Sequence, residues 1–263
     1  MKRRDSILTL LAGTLALFSC QKIIQVDLNS SAPKVVIEGS INDQPGPHIV
    51  KVSKTVNFDQ TNVFPGVTGA TVTISDDAGN AETLAEAAPG IYQASVITGV
   101  AGRTYTLSVT TAGKTYTAVS KLNTPVQIDS VNIQKGLFGA RKNLHVYFND
   151  PAGVESWYKI VKTVNDSVRR DIYVTPDLLR DGQQMEEILF SNNAEDSLTR
   201  GDSVTIALQA IDEGVYEYFR TLMPITEGND PGATPANPKT NISNGALGYF
   251  SAYAVTRKSL IVR

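Results

Sequence analysis

The sequence predicts a mainly β protein of two antiparallel β-sandwich-like domains in tandem, the second with one or two short helices. Three observations predict it. Thr, Ser, Val and Gly are plentiful, Met and Trp number only three and one in 263 residues, and long helical periodicity is nearly absent; this is the profile of antiparallel sheet. Apolar and polar residues alternate with a period of two in short runs punctuated by Gly, Pro, Asn and Asp, the signature of half-buried strands joined by tight turns. The alternation is interrupted at Asn123-Thr124-Pro125 and then restarts, which places a domain boundary there.

The N-terminus has a different build. Lys2-Arg3-Arg4 precedes an apolar run from Ile7 to Phe18, followed by Ser19 and the only cysteine, Cys20. A basic start, a short apolar run and a small residue make a secretory signal, and the run is too short to span a bilayer permanently. Leu17-Phe18-Ser19-Cys20 is the lipobox pattern of bacterial lipoproteins, in which the thiol takes a diacylglycerol and becomes the mature N-terminus. Residues 1–19 are therefore expected to be a lipoprotein signal peptide, Cys20 the lipid attachment site and 20–33 a tether. Removing 1–19 takes away Lys2, Arg3, Arg4 and Asp5, so 24 basic and 26 acidic residues become 21 and 25, a formal charge of −4. That balance supplies no basic field for nucleic acid. With a single cysteine, no disulfide staples the chain, so stability must come from sandwich cores.

An immunoglobulin- or transthyretin-like sandwich is expected over 34–123. Val35, Ile37 and Ile41 share one strand face, Asp43 to Pro47 turns, and His48 to Val52 runs back. Asn57 to Gly66 is a longer loop. Ala70, Val72 and Ile74 alternate with Thr and Ser, and Asp76-Asp77-Ala78-Gly79-Asn80 is hairpin chemistry. Strands follow from Ile91, over Tyr105 to Val109, and over Tyr116 to Ser120. A second β-rich domain is expected over 124–263, with strands at Val126 to Ser130, Leu144 to Phe148, Ser156 to Val164 and Val204 to Leu208. Thr175 to Leu179 reads as a capped helical turn with Pro176 in its first position. Residues 212–223 read as a helix, with Val215, Phe219 and Leu222 on one face and Asp212 as cap. Glu227 to Pro238 is loop, and Asn244–Tyr253 and Val255–Val262 close the chain as two strands.

Several blocks resemble one family: Val36-Ile37-Glu38-Gly39, Pro45 to Lys54, Gly69-Ala70-Thr71-Val72, Asp76 to Asn80, Pro89-Gly90-Ile91-Tyr92, Val215 to Phe219, and above all Asn241 to Tyr253 with its Gly-Ala-Leu-Gly-Tyr-Phe core. The family is a domain of unknown function in lipoproteins of the Bacteroidota, often encoded beside a TonB-dependent outer-membrane receptor. The resemblance covers nearly all of the mature chain. It implies an outer-membrane location and a TonB-dependent receptor as partner, and it supplies no catalytic residues.

No catalytic constellation is legible. His48 and His145 are the only histidines, and with Cys20 given to lipid they fall short of a zinc site; His145, out of phase with Leu144, Val146 and Phe148, is expected to face solvent or a polar seam. Asp76, Asp77 and Asn80 offer oxygens to a cation, but a turn accounts for the same residues. Glu186-Glu187 and Asp212-Glu213 diverge on a strand or helix and make no acid/base couple. Trp157, with Tyr158, reads either as core or as a platform for a sugar ring. The glycines of Gly245 to Phe250 point to close backbone approach or a bulge. The expectation is a non-enzymatic outer-membrane lipoprotein without metal or cofactor, its periplasmic or cell-surface face left open. It would serve as accessory to a TonB-dependent receptor and present a small-molecule, glycan or peptide ligand through loops such as Asn57–Gly66 and Glu227–Pro238. The alternatives are an adhesin or envelope-structural module, and behind it a glycan or peptide hydrolase.

Overall fold

The computed structural model describes residues 32–57, 63–135, 142–190, 197–227 and 237–263. The first half contributes β1 (Val35–Asn42), β2 (His48–Lys54), β3 (Thr71–Asp76), β4 (Ala81–Thr83), β5 (Ala85–Ala88), β6 (Ile91–Ala94), β7 (Thr104–Thr111) and β8 (Lys114–Lys121). After the linker come β9 (Ile128–Lys135), β10 (Lys142–Asn149), β11 (Trp157–Val164), β12 (Ser167–Val168), β13 (Tyr173–Pro176), β14 (Gln184–Leu189), β15 (Ser203–Ile211), helix α1 (Glu213–Glu227) and β16 (Leu247–Ile261).

A nine-stranded sheet runs through the whole molecule in the order β12-β11-β15-β16-β1-β2-β6-β5, with β13 also on β11. A four-stranded sheet, β4-β3-β7-β8, covers one end of it and a three-stranded sheet, β14-β10-β9, the other. Each covering sheet encloses its own core. Ile37, Val50, Tyr92, Ile74, Leu107 and Phe250 belong to the first, and Val146, Phe148, Tyr158, Ile160, Ile206 and Leu208 to the second. Strict alternation produces both layers: Tyr105, Leu107 and Val109 of β7 and Tyr158, Ile160 and Val164 of β11 point inward from every second position. The architecture is thus mainly β, with tandem sandwiches.

The last strand differs from expectation. Instead of two strands confined to a second domain over 124–263, β16 is one strand of 15 residues that serves both sandwiches. Its first half pairs in parallel with β1, from Val36↔Leu247 to Asn42↔Tyr253, and its second half pairs antiparallel with β15, from Ala210↔Ala254 to Ser203↔Ile261. Residues of one parity face both interiors: Phe250, Ala252 and Ala254 enter the first core, and Leu260 and Val262 pack on the second. The first sandwich is therefore closed by residues far beyond position 123.

Two local expectations also change. Thr175 and Pro176 are strand rather than helical turn, with Pro176 opposite Trp157; at a strand end the missing proline donor disturbs no ladder. The helix begins at Glu213, with Asp212 as cap, and extends through Pro224 to Glu227. It buries Val215, Tyr218 and Phe219 against Ile211 and the half-buried Trp157, Val174, Tyr249 and Tyr253, a third cluster on the outer face of the large sheet.

Candidate functional site

A groove of about 310 Å³ opens where the two sandwiches meet. Linker residues Asn123, Thr124 and Val126 form one wall; Pro151, Val154 and Trp157, from the β10–β11 loop and the start of β11, form the other, and Lys121 lies at its rim. Alternation on β11 sends neighbouring aromatics opposite ways. Trp157 faces the groove and the helix cluster half-buried, while Tyr158 is buried in the second core. The Tyr158 hydroxyl donates a very short bond to Asp150, and burial, then that carboxylate, push its pKa well above the usual phenol range.

The groove's outer wall is held by three aspartates. Asp150 accepts from the Gly182 amide at 3.2 Å, Asp177 from the Ser156 amide at 3.0 Å and Asp181 from the Gly153 amide at 2.7 Å. Loops 150–156 and 177–183 are thereby latched to each other by charge-assisted bonds. The three carboxylates have ligand oxygens within 4.8 Å of one another, near enough to share a cation, but each already serves a backbone donor. Sequence reading missed this trio because an aspartate in a turn segment looks the same whether it caps its own turn or a distant one.

The inner wall is fixed by Asp212. One carboxylate oxygen caps the helix by accepting from the Val215 amide at 2.9 Å. The other accepts from the Ser120 hydroxyl in a very short bond and from the Lys121 amide at 3.0 Å. Ser120 Oγ in turn accepts from the Ala252 amide at 2.8 Å, and Asn123 donates to the Ile211 carbonyl at 2.7 Å. Strand β8 and the helix are joined at the Asp212 carboxylate, with β16 tied in through Ser120 and the linker through Asn123; burial pushes the pKa of Asp212 up.

A second cavity, of about 410 Å³, lies at the β3–β4 turn and the 95–103 loop, lined by Asp76, Asn80, Glu82 and Arg103 among others. Asp76 accepts from the amides of Ala78 and Asn80, from the Asn80 side chain and from Arg103 at 2.7 Å. Burial opposes ionisation, but these donors together hold the carboxyl down to about 2. Arg103 thus supplies the positive charge at this turn. Glu82 accepts from the amides of Ser95, Val96 and Ile97 at 2.7–2.9 Å, and these donors lower its pKa against the cost of burial. Nearby, His48 is 3% exposed and its Nε2 has no hydrogen-bond partner among the described residues. Burial pushes the pKa of this imidazole down, partly offset by the Glu82 charge.

The remaining sequence candidates lie apart. His145 lies in a polar seam, its Nδ1 2.7 Å from Glu186, which also accepts from Tyr147. Glu187 points the other way, to Thr175 and Arg180. Glu213 is exposed on the first helical turn. The Asn241-Ile242-Ser243-Asn244 block closes the first sandwich: Ser243 exchanges bonds with the Thr117 backbone, and Asn244 reaches the Thr115 carbonyl. This covers the β8 edge. The Asn241 side chain both donates to and accepts from the Phe250 backbone, taking the place of a strand beside the first half of β16. Cys20, half of the 57–66 loop (58–62) and most of the 227–238 loop fall outside the described residues.

Among known protein families, one whose description is Domain of unknown function (DUF4249) matches residues 21–259. No curated protein matches the chain. Among solved structures, the two fibronectin type-III domain segment from chicken tenascin is similar at 11% identity, covering 69% of this chain and 92% of that one, with a TM-score of 0.23.

Proposed function

The chain belongs to the DUF4249 family of domains of unknown function, and from that premise we propose that it is a non-enzymatic lipoprotein, anchored in the outer membrane of a member of the Bacteroidota through Cys20, that serves a TonB-dependent receptor as accessory or ligand-presenting subunit. The observation that carries this reading is the Leu17-Phe18-Ser19-Cys20 stretch behind a basic, apolar leader. The family match begins one residue after the cysteine, in keeping with a mature chain that starts there. Each buried acyl methylene contributes about 0.8 kcal/mol, so two or three chains on one residue hold a protein at a bilayer firmly. Confinement to that surface raises the effective concentration at an embedded partner without a strong protein interface.

The carboxylates that line the larger of the two cavities are ill suited to the general-acid step of glycoside hydrolysis. Asp76 and Glu82 are saturated with donors and held below the ordinary carboxylate range, whereas a glycosidase acid needs a raised pKa.

Cell fractionation of a Cys20→Ser variant tests the anchor. The wild-type chain is expected in the outer-membrane fraction and the variant to leave it; a variant retained there as firmly as wild type would overturn the reading. Crosslinking followed by affinity purification tests the partner. Recovery of a receptor barrel supports the accessory role, and its consistent absence would favour a free-standing adhesin or envelope module.

A further inference from the structure

We propose that the end of the first sandwich at which the chain enters rests on a phospholipid bilayer, with Val63 and Phe64 in the interface and lysines beside the head-group phosphates. The proposal deepens the reading of Cys20 as a lipid anchor and rests on it. Backbone bonds define this end. The Thr55 amide donates to the Lys34 carbonyl at 2.9 Å, and the Lys54 amide donates to the Pro65 carbonyl at 3.1 Å. Residue 34, the end of β2 and the segment 63–66 therefore lie side by side. Val63 is 73% exposed, Phe64 is 56% exposed, and Pro65 beside them is exposed as well. Water solvates such an apolar run poorly, whereas the boundary between head groups and acyl chains accepts it.

Two further observations say what covers the patch. The first is where the chain comes from. Thirteen residues separate Cys20 from Lys34, a length that spans at most about 50 Å, so an acylated Cys20 holds this end near the bilayer. The second sandwich lies further off, since β16 runs from Leu247, opposite Val36, to Ser259, opposite Thr205, about 40 Å along the strand. The second observation is charge. Lys34, Lys54 and Lys114 are exposed residues of this end, and Lys114 reaches the Asn244 carbonyl at 2.7 Å, just ahead of the start of β16. Glu86, which accepts from the amides of Gly69 and Gly90 and keeps its charge, is the one opposing carboxylate there among the described residues; Glu38, further along β1, lies opposite Lys51. The other end of the same sandwich carries Asp43, Asp76, Asp77 and Glu82 against Arg103 and Lys121. The sandwich is thus polarised, and its basic end, the one that carries the apolar run and receives the chain from Cys20, matches an anionic lipid surface.

Acylation turns the sulfur of the only cysteine into a thioether, so a cysteine introduced elsewhere is the one free thiol. The test uses the mature protein, purified from membranes and reconstituted into vesicles of phosphatidylcholine with phosphatidylglycerol as the anionic lipid. A polarity-sensitive fluorophore is placed on Val63→Cys or, at the far end of the second sandwich, on Val168→Cys, where the native side chain is 64% exposed. Lipids brominated on their acyl chains are expected to quench the label at position 63 about twofold or more and to leave the label at 168 unchanged. Phe64→Asp, and separately Lys34→Gln combined with Lys54→Gln, are each expected to remove about half of the quenching at 63 or more. All three are exposed positions, and the far-ultraviolet circular dichroism should stay intact. Equal quenching at 63 and 168, or quenching indifferent to either set of changes, would overturn the contact while leaving the anchor standing; a surface reserved for a protein partner would give that result. Failure of the wild-type protein to float with the vesicles would overturn the anchor, and the contact with it.

Discussion

Asp76 and Asp212 show how the same side chain takes opposite electrostatic roles according to its donors. Asp76, with a side chain only 1% exposed, faces the Arg103 guanidinium and three amide groups and is held at about 2. Asp212 receives a hydroxyl and backbone amides but no cation among the described residues, and burial raises its pKa. The linkage signs follow. A carboxyl whose folded value lies below its unfolded value adds stability above the unfolded value, and that stability is lost as pH falls through the folded value. For Asp76 the window runs from its ordinary 3.8 down to about 2. Asp212 acts in reverse, since its ionisation costs the folded state as pH rises past the ordinary value. Asp76→Asn is expected to lower stability by about 1–3 kcal/mol at pH 7, and the gap between wild type and variant in urea midpoint should close as pH drops toward 2. A gap that stayed constant across that range would mean the charge is not what holds the turn. The sequence showed Asp76 to Asn80 as a turn because those residue types bond their own backbone. Arg103, 27 positions away, carries no local mark of its pairing.

At the scale of elements, β16 depends on one glycine. Gly248 has φ +95, and a Cβ there would sit 2.0 Å from the Ile37 carbonyl oxygen and 2.8 Å from its carbon. Both the backbone conformation and the parallel contact with β1 therefore require glycine. Gly245, three residues earlier, also has a positive φ, +76, but none of the described residues lies within 4 Å of its would-be Cβ. The pair separates strain from collision. Gly245→Ala is expected to cost about 1–2 kcal/mol, whereas Gly248→Ala should cost at least about 3 kcal/mol, measured by urea unfolding; similar losses would mean that β1 and β16 yield to a methyl group. The Gly-Ala-Leu-Gly-Tyr-Phe pattern announced a close backbone approach in the sequence itself. Its partner was not legible, because period-two alternation identifies which face of a strand is buried and is silent about the strand beside it. The same limit split β16 in two on paper: apolar and small residues run unbroken through Ser251 to Val255, where the strand passes from one sandwich to the other and is buried on both faces.

At the scale of the whole molecule, tandem sandwiches invite the assumption of two independent folding units, and the shared sheet argues otherwise. Phe250, Ala252 and Ala254 are fully buried in the first core, while Ala254 also begins the antiparallel ladder to β15. Loss of the second sandwich would release β16, strip β1 of its neighbour and expose the first core. Asp212 adds to the coupling, since unfolding the helix frees the carboxylate on which Ser120 and the Lys121 amide depend. The groove follows from the same construction. Its residues come from positions near 102, 121–126, 151–158 and 210, each an ordinary turn or strand end when read along the chain, and only the continuous sheet brings them together. Unfolding is therefore expected to be a single cooperative transition. Trp157 emission reports the second sandwich, whereas far-ultraviolet circular dichroism averages over both. In urea the two curves should superimpose, with one midpoint and one slope. A fluorescence transition displaced from the dichroism transition would show that β16 can let go of one sandwich and keep the other, and the junction groove would then be a hinge rather than a preformed site.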